Sequence, residues 1–274
     1  MELPRGGMLG RAAYVIQRLQ QMRISVHAAN AGYFIVLSVF PALVLILSLL
    51  RYTPMDAEDL LRLLEGILPQ ALLPAAEKLI VSTYAHTSRT VVSVSAISAL
   101  WSASRGIYGL LMGLNAIYDV KESRGYVYTR SISVLYTFGF LLVLILTLVL
   151  YLFGEAIVEN LPTDGFLLWL LAEVIDWRFV LLVLLQTGLF AAMFVVLPNR
   201  RNTLRSSLPG ALLASAGWLI FSNLFSVYVE RVAGYSSIYG SVYAVALSML
   251  WLYFCLSIVF YGGALNALMM ERKM

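Results

Sequence analysis

The chain has 274 residues, 61% of them hydrophobic and 12% charged, with a formal net charge of +4. Soluble domains carry about 25% charged residues, so an ordinary soluble fold of this length is excluded. The basic excess does not mark a nucleic-acid binder either, because Lys and Arg are sorted between apolar stretches rather than gathered into one patch.

Residues 1–27 form an N-terminal segment in which Leu9, Ala12, Ala13, Ile16 and Leu19 recur at helical spacing. Arg11, Arg18 and Arg23 take the other sectors. This pattern suits a helix lying in the cytoplasmic interface, with a partly ordered tail as the plain alternative. The first uncharged stretch, 28–50, is 23 residues long. At ~1.5 Å per residue, about 20 apolar residues cross a hydrocarbon core of ~30 Å. Pro41 lies near its middle; it removes a backbone donor and is expected to kink the helix near 36–40.

Residues 51–89 are the largest piece outside the spans. Thr53-Pro54-Met55-Asp56 is a helix start, with a Thr cap and Pro at the first position, and Leu60, Leu61, Leu64, Ile67 and Leu68 line one face. Pro74 starts a second short helix through Glu77, Leu79, Ile80 and Tyr84. Further spans are predicted at 90–113, 131–153, 178–197, 206–229 and 241–268, with an interfacial apolar segment at 166–175. The predicted fold class is therefore all-α: a polytopic integral membrane protein with six transmembrane helices, short interfacial amphipathic helices and a single domain.

Six alternating spans place 12 basic residues and only Glu2, Asp119, Glu122 and Glu271 on one side. The other side receives six basic residues and 11 acids. Basic loops stay cytoplasmic during insertion, so both termini are predicted inside and 51–89 in the periplasm. An odd number of spans would scramble this sorting.

Arg105 is the one ionisable residue inside a long apolar stretch. It lies ~22 Å along a helix from Thr90, where an Arg costs at least ~2.5 kcal/mol. No Asp or Glu lies within a span to pair with it, which leaves carbonyls, water or a bound anion; snorkelling to the interface is the alternative. Ser95, Ser98, Ser102, Gly106, Gly109 and Gly113 form a small-residue face around it that suits close helix packing. Ser104-Arg105-Gly106 is also a candidate local break. Tyr235, Tyr239 and Tyr243 form an i, i+4 stripe entering the last span, either an interfacial aromatic belt or the wall of an outward cavity. The uncharged run 232–270 is too long for one perpendicular helix, so a bent or re-entrant entry is expected within 234–240, where Gly240 permits adjustment. The amides of Asn115 and Asn266 suit interhelical hydrogen bonds.

No catalytic or metal-ligating set is expected. The histidines, His27 and His86, fall on opposite predicted sides, and Cys255, the single cysteine, has no base nearby. Zinc-protease, nucleophile-elbow and phosphate-loop motifs are missing, and no cofactor is called for.

Several blocks together resemble the YihY/BrkB family of bacterial inner-membrane proteins, once assigned as ribonuclease BN. They are Asn30-Ala31-Gly32-Tyr33 with Leu37-Ser38-Val39-Phe40-Pro41, Leu100-Trp101-Ser102-Ala103-Ser104-Arg105-Gly106, and Leu114-Asn115-Ala116-Ile117-Tyr118. Leu197-Pro198-Asn199-Arg200-Arg201, Leu208-Pro209-Gly210-Ala211, Ser237-Ile238-Tyr239-Gly240-Ser241 and Leu250-Trp251-Leu252-Tyr253 follow. The similarity covers about 23–270. One departure is Gly262-Gly263-Ala264-Leu265-Asn266-Ala267, where the family commonly has Glu at the third position. If that Glu pairs with the family Arg, Arg105 is freed here or the site is lost. The resemblance implies six helices, a place in the cell envelope and a link to lipid or amphiphile movement.

The sequence thus points to a non-enzymatic transporter or flippase-like protein for an anionic lipid or amphiphile. Arg105 would attract the headgroup, Trp101, Tyr235, Tyr239, Tyr243, Asn115 and Asn266 would line the route, and Pro41, Gly106, Gly109, Gly113 and Gly240 would serve hinging or packing. The alternative is a structural scaffold docking an envelope partner. Membrane lipids, an envelope protein or a second copy of the chain are the expected partners, and nucleic acid is not.

Overall fold

A computed structural model describes residues 8–50, 58, 77–78, 80–82, 88–140, 142, 178–232 and 236–271. Among the described residues there is no strand; every regular element is a helix. The helix start at Thr53, most of the segment from Pro74, the apolar run 166–175 and Tyr235 lie outside the described residues.

Helix α1 spans Met8–Gln21 and α2 spans Ile24–Leu50. Between them Arg23 takes a positive φ of 46°, the left-handed turn that ends α1 and lets the chain re-enter a helix at once. Met22 and Ile24 are buried at this corner, 1% and 5% exposed. α2 runs 27 residues with Pro41 inside it and no Asp, Glu, Lys or Arg.

Helix α3 spans Arg89–Ile117 without interruption. The break expected at Ser104–Gly106 does not occur. Ser104 turns its hydroxyl back onto the Trp101 carbonyl (2.9 Å), which satisfies it within the helix. α3 ends where Asp119 adopts φ 54°; Val120 N–H reaches Asn115 O (2.9 Å) and Asp119 N–H reaches Ala116 O (3.3 Å). That pair of bonds is a Schellman closure with Asp in the place usually given to Gly.

Helix α4, 126–140, begins a turn earlier than the predicted span at 131. α5 covers Arg178–Val196, α6 Leu204–Val232 and α7 Ser236–Glu271. Residues 236–240 are already helical, so the bent entry expected there is corrected: within the described residues α7 is one 36-residue helix. α6 is capped by Thr203, whose Oγ1 accepts from Ser206 N–H (3.3 Å) while Ser206 Oγ accepts from Thr203 N–H (3.2 Å). This is the reciprocal logic of a capping box with Ser in place of Glu.

Leu204–Val229 and Val245–Glu271 are long and apolar enough to cross a membrane, and Val180–Val196 is a shorter apolar helix. Only 11% and 33% of the two longer segments' most apolar windows are buried within the molecule. A core helix of a soluble protein would be mostly covered, so these surfaces suit a hydrocarbon solvent.

The chain divides into two compact units. One comprises Met1–Ile24, Leu111–Leu219 and Ile258–Met274. Its core is built from Leu111, Leu114, Ile117, Phe194, Leu197 and Phe260, all 0% exposed. Gly263 admits Leu114 and Phe194 against its backbone, at 2.9 and 3.4 Å from where a Cβ would stand. In the same unit α1 is tied to the end of α7. Arg18 donates from Nε (3.2 Å) and Nη2 (2.9 Å) to Glu271 Oε1, and Tyr14 Oη donates to Oε2 (3.1 Å).

The second unit comprises Ser25–Leu110 and Ile220–Ser257. Ala28, Ala31 and Cys255 are 0% exposed there. Phe221 packs against Phe225 and Phe254 at ring separations of 5.6 and 5.3 Å, and Trp251 Nε1 donates to Ser222 Oγ (3.2 Å).

Candidate functional site

In the second unit, two faces of α3 do different work. One packs on α2 through small residues. A Cβ on Gly109 would stand 3.1 Å from Ala31 Cα, and one on Gly106 would overlap the Ile35 side chain. The helices therefore meet nearly backbone to backbone, as small-residue faces allow. The other face carries Val94, Ile97 and Trp101, 57%, 68% and 52% exposed, with Arg105 next on the same stripe and also exposed.

The close approach places Phe34, one turn beyond Ala31, beside Arg105. The guanidinium carbon lies 5.2 Å from the Phe34 ring centroid, and Tyr33 meets Phe34 edge-on at 5.2 Å. Among the described residues no carboxylate pairs with Arg105. A cation over an aromatic face contributes ~0.5–1 kcal/mol when exposed and ~2 when desolvated. Placing Arg in the apolar region costs at least ~2.5 kcal/mol. Phe34 orients the cation but does not by itself offset its cost, so a second contact for the guanidinium is favoured.

The other predicted residues fall elsewhere. Pro41 is half-buried in α2, Tyr243 is half-buried in α7, and Tyr239 and Gly240 lie in the opening turns of α7. Gly113 is buried in α3, within the first unit.

Asn115 and Asn266 are also in the first unit, each almost fully buried and each hydrogen-bonded. Asn266, 0% exposed, accepts from the Gly210 amide (2.7 Å) and donates to Ser207 O (3.1 Å). α6 and α7 touch at this level through bare backbone: a Cβ on Gly210 would overlap the Gly262 carbonyl and the Asn266 amide. Ala264, where a Glu was expected from the resemblance, is 1% exposed. Asn115 donates to Glu122 Oε2 (2.7 Å) and accepts from Asn199 N–H (2.7 Å). It serves the loops after α3 and α5 rather than a facing helix.

Those loops carry residues that sequence reading passed over as mere charges. Arg124 grips Glu122 through Nε (2.8 Å) and Nη2 (2.7 Å) and also donates to Leu197 O (2.7 Å). Asn199 Nδ2 donates to Lys121 O and Ser123 Oγ, both at 2.8 Å. The Arg124 guanidinium beside Glu122 holds its carboxyl below the ordinary value, against an opposing push from burial. The signal in sequence was the position of Asn199 and Gly210 inside the quoted blocks. Among the described residues no three His, Cys, Asp or Glu side chains come together.

The family described as virulence factor BrkB matches residues 15–274. The ribonuclease-like protein YfkH of Bacillus subtilis is 35% identical over 252 residues, covering 90% of each chain. A UPF0761 membrane protein of Vibrio parahaemolyticus is 26% identical over 274 residues, covering 95% of this chain and 82% of its own. One of Photobacterium profundum is 26% identical over 271 residues, covering 95% and 81%. No solved structure matches the chain.

Proposed function

The chain belongs to the virulence factor BrkB family, whose relatives include bacterial membrane proteins, and from that premise we propose that it is a six-span inner-membrane protein that moves an anionic lipid or related amphiphile. One observation carries the proposal. Arg105 is exposed on an otherwise apolar helix face, seated on Phe34, with no carboxylate partner among the described residues. A phosphate or carboxylate headgroup supplies the missing contact, and Trp101, one turn away, offers an amphipathic surface beside it.

Two observations support the proposed topology. The basic loops sort to one side. The bonds from Tyr14 and Arg18 to Glu271 hold the N-terminal helix against the last turn of α7, which supports an even number of crossings between them. The Bacillus relative's name suggests RNA cleavage. Here transport proceeds without chemical turnover, since the two histidines sit far apart in sequence and no nucleophile motif accompanies them. Metal-dependent RNA cleavage that co-purifies with the protein through every step, and is lost on a point substitution, would overturn the non-enzymatic assignment.

The direct test is reconstitution into vesicles carrying fluorescent phosphatidylglycerol, with transbilayer movement read by quenching from outside. The protein is expected to accelerate movement over empty vesicles, Arg105→Ala to slow it about tenfold, equal to ~1.4 kcal/mol, and Arg105→Lys to fall between. Movement no faster than in empty vesicles, or Arg105→Ala matching the unmodified protein, removes the proposal.

A further inference from the structure

Helix α4 carries an open groove of about 480 Å³, away from the Arg105 stripe in sequence and in the other compact unit. Tyr126, Val127, Arg130, Val134, Leu135 and Phe138 line it. Its wall is apolar and open: Val127 and Leu135 are 78% and 72% exposed and Phe138 is 56% exposed. Arg130, half-buried, is the one charged residue of the lining.

Two dimensions identify what fits. The volume lies within the ~300–1,000 Å³ of sites that take a single small molecule. From Tyr126 to Phe138 the groove runs ~18 Å along the helix, a little more than half of a ~30 Å hydrocarbon core, or one leaflet. Arg130 lies in the half of the groove nearer the basic loops, where Lys121 precedes α4 and Arg200 and Arg201 follow α5. A charge ~6 Å from the loop end, with ~12 Å of largely apolar wall beyond it, matches a two-part ligand with an anionic head and a hydrocarbon tail.

We propose that α4 holds one anionic glycerophospholipid from the leaflet facing the basic loops, its phosphate on Arg130 and an acyl chain along Val134, Leu135 and Phe138. The site binds rather than transports, and it stands whether or not Arg105 serves a moving lipid. A zwitterionic lipid presents the same phosphate with a compensating cation. One basic residue near the surface therefore favours the anionic lipid by about fivefold.

The test uses the full chain in vesicles of phosphatidylcholine doped with either phosphatidylglycerol or phosphatidylcholine bearing a photoreactive group on one acyl chain. Adducts are mapped by peptide mass spectrometry. Adducts within 134–138 are expected to be about fivefold more abundant with phosphatidylglycerol. Arg130→Gln should bring the two probes level, Arg130→Lys should keep most of the preference, and Arg105→Ala should leave it unchanged. Equal labelling by both probes, a preference that survives Arg130→Gln, or chain-to-chain crosslinks through α4 in place of lipid adducts would each overturn the assignment. If neither Arg130 variant elutes as a folded species, competition of the phosphatidylglycerol probe by unlabelled phosphatidylglycerol, but not by phosphatidylcholine, decides the same question on the unmodified protein.

Discussion

The Gly210 amide donates to Asn266 Oδ1 at 2.7 Å, although 56 residues separate them. Gly210 follows Pro209 in the second turn of α6, and the side-chain amide of Asn266 answers it from α7 while returning a bond to Ser207 O. One buried amide thus stitches two apolar helices where the Gly210 and Gly262 backbones meet. Replacing it by Ala leaves a buried N–H and a buried carbonyl each short of a partner. Asn266→Ala is expected to cost about 1–2 kcal/mol, read as a lower melting temperature in detergent. No loss of stability would mean that these backbone groups are satisfied without it.

Gly210 also sets how near α6 and α7 can come. A methyl group there meets the Gly262 carbonyl and the Asn266 side chain, and neither is the free end of a flexible chain. Overpacking of this kind costs about 1–3 kcal/mol, so Gly210→Ala should melt earlier than the unmodified protein. Gly188 in α5 is the control, since a Cβ there meets nothing within 4 Å. Gly188→Ala should be neutral or gain about 0.5–1 kcal/mol from the better helix former. Equal effects of the two substitutions would show that helix propensity, not contact, governs both.

How much of this arrangement could be read from the sequence differs by level. The uncharged runs 28–50 and 206–229 lie within helices α2 and α6, because a long apolar stretch has few other ways to satisfy its backbone. The spacing of Gly106 and Gly109 marked a close-packing face, but only the fold supplies the partners, Ala31 and Ile35. The break expected at Ser104–Gly106 failed because propensity measured in water understates the cost of freeing a backbone bond between packed helices. Asn115 and Asn266 read alike as span amides, yet one clamps loops and the other clamps helices. That difference depends on which segment lies alongside each, information no local window contains. Glu122 and Arg124 looked like solvated loop charges for the same reason.

The Glu122–Arg124 pair gives the first unit a pH dependence of known sign. Arg124 lowers the Glu122 carboxyl in the folded state from an ordinary value of 4.5. A carboxyl depressed by folding adds stability that is fully present above 4.5 and is lost as pH falls through the lower folded value. Melting temperature should therefore drop on acidification below that ordinary value. Glu122→Gln should remove this part of the slope and cost about 1–2 kcal/mol at neutral pH. An identical acid profile for the Gln variant would assign the slope to other carboxylates.

The topology can be tested without altering Cys255, because that side chain is 0% exposed and should stay silent toward a water-soluble maleimide. Cysteines introduced for Ser123 and Arg201 lie in exposed loop positions after α3 and α5. With basic loops inside, both should resist an impermeant maleimide added to intact spheroplasts and react once the membrane is opened. Glu271 should tolerate Cys less well, since its carboxylate holds Arg18 and Tyr14, but its partly exposed ion pair contributes no more than about 1 kcal/mol. A cysteine at Gln20, exposed on α1, therefore reports the N-terminal side more safely and should behave as the other two do. Labelling of Gln20→Cys from outside, with Ser123→Cys protected, would require an odd number of crossings between them. Under that arrangement Arg130, in the first turns after Ser123, would keep its place by the inner leaflet, while the bonds from Arg18 to Glu271 would carry the C-terminal end outside with Gln20.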